Sequence, residues 1–185
     1  MQFLAVLLFV LPCALAKNIC CVPDKMSGFA YNSYNGISSI YKIDFTAKKH
    51  LAVSLASFFN PNAFTLVDFG NGTMYYYDGQ TCTKQSLAYP EIYQQCIPEN
   101  ATLVSEANLG PAVGGFPYKA YRFSVGPNTI EMAVSSNCLP LITRLSGPAL
   151  LHTRTSIYIN ITTPATIDFP SYDLSKCKHD SVIVG

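Results

Sequence analysis

Thr73-Met74-Tyr75-Tyr76-Tyr77-Asp78-Gly79-Gln80-Thr81-Cys82-Thr83-Lys84-Gln85-Ser86-Leu87 reads as two strands folded about a tight turn. Tyrosine and threonine fit the pleated surface of a strand. Asp-Gly between two such runs is a strong hairpin signal, because the glycine accepts the positive φ that the turn demands. The same period-two alternation recurs on both sides of this hairpin. Tyr41, Ile43 and Phe45 alternate with Lys42 and Asp44, Leu51, Val53 and Leu55 with Ala52, Ser54 and Ala56, and Ile130, Met132 and Val134 with Glu131, Ala133 and Ser135. In Leu151 to Ile161 one face carries Thr153, Thr155, Ile157, Ile159 and Ile161, and the other carries His152, Arg154, Ser156, Tyr158 and Asn160. A glycan on Asn160 has to reach water, so the isoleucine face is expected inside.

Turn chemistry at Asn35-Gly36, Asn60-Pro61-Asn62, Gly70-Asn71-Gly72, Gly126-Pro127-Asn128 and Gly147-Pro148 spaces these strands about ten residues apart, the pattern of a mainly β meander. No amphipathic helix longer than two turns is expected; a short one is placed near Asp173 to His179. The stretch Tyr89 to Pro117, with four prolines and Gly114-Gly115, reads as a long loop, either a surface connection or a lid.

At the start, an apolar run from Phe3 through Leu11 is followed by Pro12, Cys13 and Ala14-Leu15-Ala16. That layout predicts a signal peptide over residues 1–16 and a single domain over 17–185. The run breaks at Pro12 and meets charge at Lys17, short of the about 20 apolar residues of a membrane span. Lys and Arg total 12 against 11 Asp and Glu, which leaves no basic stripe for nucleic acid.

Beyond the leader stand Cys20, Cys21, Cys82, Cys96, Cys138 and Cys177, an even count that reads as a disulfide framework in an exported chain. None of the six forms a Cys-x-x-Cys unit, and the three histidines are scattered, against a zinc site. A bond between the neighbours Cys20 and Cys21 would close a strained ring, so each is expected to reach a distant partner. Sequons at Asn71, Asn100 and Asn160 add expected glycosylation.

The inward rows form the candidate ligand wall. They comprise Tyr41 and Ile43; Leu51, Val53 and Leu55; Ile130, Met132 and Val134; and Ile157 and Ile159, with Leu66, Tyr76, Phe123 and Leu141 beside them. Such rows either fill a sandwich core or leave a cavity for an apolar ligand.

Gly72-Thr73-Met74-Tyr75-Tyr76-Tyr77-Asp78, then Thr81-Cys82-Thr83-Lys84, then Ile97-Pro98-Glu99-Asn100-Ala101-Thr102 resembles the central block of ependymin-related proteins. Asn137-Cys138-Leu139-Pro140, Thr153-Arg154, Asp168-Phe169-Pro170 and Lys176-Cys177 extend the likeness over nearly the whole mature chain. The resemblance implies two stacked, curved antiparallel sheets, a half-barrel similar to bacterial lipoprotein carriers, with short helices and an apolar pocket between the sheets. It implies Cys82 paired with Cys177, one of Cys20 and Cys21 with Cys138, and the other with Cys96. It further implies an exported glycoprotein, secreted or delivered to the lysosome and without a membrane span, from a family whose members are often homodimers and some of which are associated with calcium or, peripherally, with anionic lipid.

The function expected is non-catalytic binding of a fatty acid or other lipid, with no cofactor required. Gly-x-Ser-x-Gly, His-Glu-x-x-His and phosphate-cradling glycine motifs are missing from the sequence. The alternative is an adhesion or matrix protein that uses its twelve tyrosines, glycans and a dimer interface. No EF-hand loop supplies the calcium ligands such a role would draw on.

Overall fold

The computed structural model describes residues 18–55, 63–111, 113–148, 153–169, 171 and 173–179. The expected leader, the Asn60-Pro61-Asn62 turn, Leu151, His152 and Pro170 lie outside the described residues. Fourteen strands are present among them. The first seven are β1 (Asn18–Cys21), β2 (Lys25–Asn32), β3 (Ile37–Asp44), β4 (Lys49–Ser54), β5 (Phe64–Asp68), β6 (Thr73–Tyr77) and β7 (Cys82–Ser86). The rest are β8 (Cys96–Pro98), β9 (Thr102–Leu109), β10 (Phe116–Val125), β11 (Asn128–Ser135), β12 (Pro140–Ser146), β13 (Arg154–Thr162) and β14 (Lys178–His179).

The fold is mainly β, in two sheets with no closed barrel, and the sheets are unequal. Twelve strands form one ladder in the order β14-β7-β6-β5-β4-β3-β2-β13-β12-β11-β10-β9, and β1 pairs β8 in a small second sheet. Every pairing is antiparallel except β14 beside β7. The Asp78-Gly79 hairpin forms as expected, with Tyr77 opposite Cys82 and Gly79 at φ 97°. Among the described residues, helix is confined to two single 3-10 turns, Pro90–Ile92 and Leu174–Lys176. The second occupies the place of the expected helix; Cys177 follows it, and the chain then runs on as β14. The expected loop from Tyr89 to Pro117 is instead mostly structured as β8, β9 and the start of β10.

The large ladder curls, so that strands far apart in the order share one core on its concave face. Met26 and Tyr41 from β2 and β3 meet Phe123, Ile130, Met132 and Val134 from β10 and β11, with Val22, directly after β1, and Ile97 of β8 closing over them. On the convex face, Leu51, Phe64 and Leu66 are buried under Phe169 and Leu174 of the C-terminal segment. Two disulfides fix these covers. Cys82–Cys177 ties the C-terminal segment to β7, and Cys21–Cys96 joins the two strands of the small sheet.

The isoleucine face of β13 points outward, which corrects the expectation for Ile157 and Ile159: they are 38% and 49% exposed. The inference from Asn160 failed because Asn160 sits at φ 51° in a bulge, where the register shifts between Ile159 and Thr162. A bulge residue drops out of the period-two phase. Asn160 is exposed, yet Tyr158 before it faces the core, and Ile161 after it packs against the core again.

Gly28 makes the curl possible at this point. A Cβ there would lie 2.9 Å from the Ile159 carbonyl oxygen and 3.1 Å from the Tyr41 ring. Backbone and aromatic ring therefore occupy the space a side chain would need. Gly28→Ala is expected to destabilise the fold by about 1–3 kcal/mol, as overpacking does, which urea denaturation of the purified protein measures. An unchanged midpoint would show that the contact gives way freely.

Candidate functional site

A cavity of about 270 Å³ opens on the concave face, just below the usual size range of small-ligand pockets. Strand phase decides its wall. Met26 on β2 stands opposite Ile43 on β3, and Ile43 stands opposite His50 on β4, so the three share one side of the ladder. Across the cavity, Ile130 and Met132 of β11 and Leu145 of β12 supply the apolar wall. Arg154, Ser156 and Tyr158 come from the inward row of β13. Ile92, Tyr93 and Gln94 arrive from the 3-10 turn and the chain that follows it, so this short piece of the expected loop does line the cavity.

Aromatic rings organise the polar end. Tyr41 and Tyr158 meet edge to face at 5.1 Å, and Tyr93 stacks on Phe69 at 5.1 Å with His50 5.7 Å away. Such ring pairs add about 0.5–1.5 kcal/mol beyond area burial. Burial, and then the nearby Tyr158 phenol, push the Tyr93 hydroxyl up to about 12, while the positive Arg154 acts in the opposite sense. Burial raises Tyr41 and Tyr158 likewise, so all three phenols are neutral donors. Tyr158 is hydrogen-bonded to Thr143 and Ser156. The buried Tyr41 Oη and His50 Nδ1 have no hydrogen-bond partner among the described residues.

Of the residues expected at a ligand wall, Tyr41, Ile43, Ile130 and Met132 line this cavity. Phe123 and Val134 are buried in the core behind it. Leu51, Val53 and Leu66 pack on the opposite, convex face, because Leu51 stands opposite Lys42 and not opposite the inward Tyr41. Leu55 and Tyr76 are exposed, as are Ile157 and Ile159, and Leu141 is half-buried outside the wall. Alternation tells which residues share a face but not which face is concave. That gap also hid His50, Arg154 and Tyr158, although the Asp44–Lys49 pairing that aligns His50 with Ile43 follows from a short turn.

The sequons at Asn71, Asn100 and Asn160 are all exposed. Asn71 Nδ2 donates to Asp68 Oδ2 at 2.9 Å, steadying the turn. Cys21 takes Cys96 as partner, which leaves Cys20 and Cys138 as thiols hydrogen-bonded to each other beside Tyr118 and Val134. The pairing expected between one N-terminal cysteine and Cys138 thus appears as a contact without a bond. Burial, then the Cys138 hydrogen bond and charge, push the Cys20 thiol up to about 12. Among the described residues, no group of three His, Cys, Asp or Glu side chains could hold a metal ion, and no helix is long and apolar enough to cross a membrane.

No family model matches the sequence, and no curated protein matches it. Among solved structures, an uncharacterised conserved protein from Thermus thermophilus is similar, with a TM-score of 0.52 and 9% identity over 85% of this chain and 90% of that one. The likeness is one of fold alone. Two crystal forms of PNGF-II align with TM-scores of 0.40 and 0.39, at 15% and 17% identity, over 31% of that protein's chain.

Burial holds the His50 imidazole down to about 4. In the unfolded chain it titrates near its ordinary 6.5, so between pH of about 6.5 and about 4 only the unfolded chain takes up this proton. This group's contribution to stability is therefore full above pH of about 6.5 and falls as the pH drops toward about 4. The thermal midpoint of the wild type should fall more steeply over that window than that of His50→Gln. Parallel slopes in a calorimetric pH series would remove His50 as the cause.

Proposed function

We propose that this chain is an exported, non-catalytic carrier of an apolar ligand, built on the ependymin-related pattern that its sequence blocks resemble. The cavity of about 270 Å³ carries the reading. Its walls are Met26, Ile43, Ile130, Met132 and Leu145, and a concave apolar site with a few convergent polar groups is the ordinary form of a small-molecule pocket. Export is supported by two disulfides, which persist in oxidising compartments. Three exposed sequons agree with the same route. A carrier needs no reacting group, and the polar end offers neutral phenols and a neutral imidazole suited to hydrogen bonding.

Organic extraction of the purified protein followed by mass spectrometry should release a fatty acid or other lipid. The emptied protein should take up a fluorescent fatty acid, and Met132→Trp, which fills the cavity from β11, should weaken uptake at least about tenfold, equivalent to about 1.4 kcal/mol. An empty extract with no uptake by the wild type would end the carrier reading.

A second reading, recognition through the outer face, is favoured by a separate observation. Phe29 stands opposite Ile159 and Tyr31 opposite Ile157, and all four are exposed on the convex face. Ile40 and Ile142 extend the stripe to either side as the partners of Phe29 and Ile157. Contiguous exposed apolar surface marks interaction sites, so a homodimer or a matrix partner is the occupant this reading names, with calcium and anionic lipid as accessory partners. Ile159→Lys is expected to convert a self-associating protein to monomer in sedimentation velocity while leaving fatty-acid uptake unchanged. A wild type that sediments as a monomer at every concentration would exclude the homodimer.

A further inference from the structure

The chain's three arginines are treated differently by the fold. Arg122 and Arg144 stand on the convex side of β10 and β12 and share Glu131, with Arg122 Nε donating to its Oε1 at 2.7 Å and Arg144 Nη1 3.9 Å from its Oε2. Arg154 is on the concave side. It stands opposite Leu145 at the head of β13, and its side chain lines the cavity. No carboxylate among the described residues pairs with it. A guanidinium is always charged and matches a carboxylate with two parallel N–H donors. Among the described residues, the cavity therefore presents one uncompensated cation.

Deeper in the cavity wall are two groups with the opposite deficit. Tyr41 is 2% exposed and its hydroxyl has no hydrogen-bond partner among the described residues, and His50 Nδ1 is buried and equally bare. Neighbouring Tyr158 has side-chain hydrogen bonds to Thr143 and Ser156, and the third unpartnered buried atom among the described residues, Asn128 Oδ1, lies outside the cavity wall. A buried polar atom left alone costs about 1–3 kcal/mol. Native structures rarely keep one unless a water or ligand completes it. A saturated hydrocarbon chain would seal both atoms in and satisfy neither. A ligand hydroxyl can accept from a phenol and donate to a neutral imidazole nitrogen.

We propose that the cavity is built for an amphipathic lipid acid bearing a hydroxyl on its chain, the carboxylate meeting Arg154 at the mouth and the hydroxyl completing Tyr41 or His50 within. This assignment rests on the carrier reading and narrows it from apolar ligands in general to an oxygenated acid. It follows the rule that a site built to hydrogen-bond a polar group discriminates strongly against the analogue that lacks it.

The test is displacement of a fluorescent apolar probe from the delipidated full chain by octadecanoic acid, its methyl ester, and a positional series of hydroxyoctadecanoic acids. In the wild type the acid should compete about 10–100-fold better than the ester, the span expected of a hydrogen bond to a charged group. On Arg154→Gln the acid and the ester, both measured on that variant, should compete equally. At least one hydroxy acid should compete about tenfold better than the plain acid. On Tyr41→Phe or His50→Phe that advantage of the hydroxy acid over the plain acid, both measured on the same variant, should disappear. Equal competition by acid and ester in the wild type overturns the role of Arg154. A hydroxy series that nowhere exceeds the plain acid overturns the chain-hydroxyl assignment and leaves water as the partner of the two buried atoms. Both results leave the carrier reading standing, whereas a wild type that takes up no probe ends that reading and this inference together.

Discussion

A ladder of twelve strands has two faces to bury, and little chain remains outside it to do the covering. The concave face meets this constraint by curling until β3 and β11 share a core, with β1 and β8 laid over the remainder. The convex face is sealed over β4 to β6 by Phe169 and Leu174. Burial of each large side chain contributes about 1.5–3 kcal/mol. The two covers therefore supply stability that the ladder's hydrogen bonds alone would not.

The cavity is a product of that curvature. Where Gly28 lets the ring of Tyr41 and the backbone of the Asn160 bulge approach, the layers close tightly. Ile92 and Tyr93 join the cavity's lining from the segment after β7. The polar side chains that line the cavity come from six separate stretches of chain, β2, β3, β4, β12, β13 and the segment after β7. No short motif could have announced them.

Strand existence was legible because alternation and turn residues are local properties. The Asp78-Gly79 hairpin, the row Ile130-Met132-Val134 and the Cys82–Cys177 bond all stand as read. Facing was not legible, because it depends on which side of a long sheet becomes concave. Leu51 and Leu66 are as buried as Tyr41 but under a different cover, and one bulge reversed the reading of β13. The expected lid shrank to the residues around Tyr93 because β9 pairs along β10, and that pairing is long-range information.

Lys178 and His179 form a two-residue parallel strand against the outer edge of β7, immediately after Cys177. An open sheet edge is a template for pairing with other chains, and this one is occupied by the protein's own tail. The bond to Cys82 thus anchors two protections at once, the apolar cover and the edge guard. Reduction of that one bond would remove the covalent tie of both to β7 and leave them held by packing and ladder pairing alone.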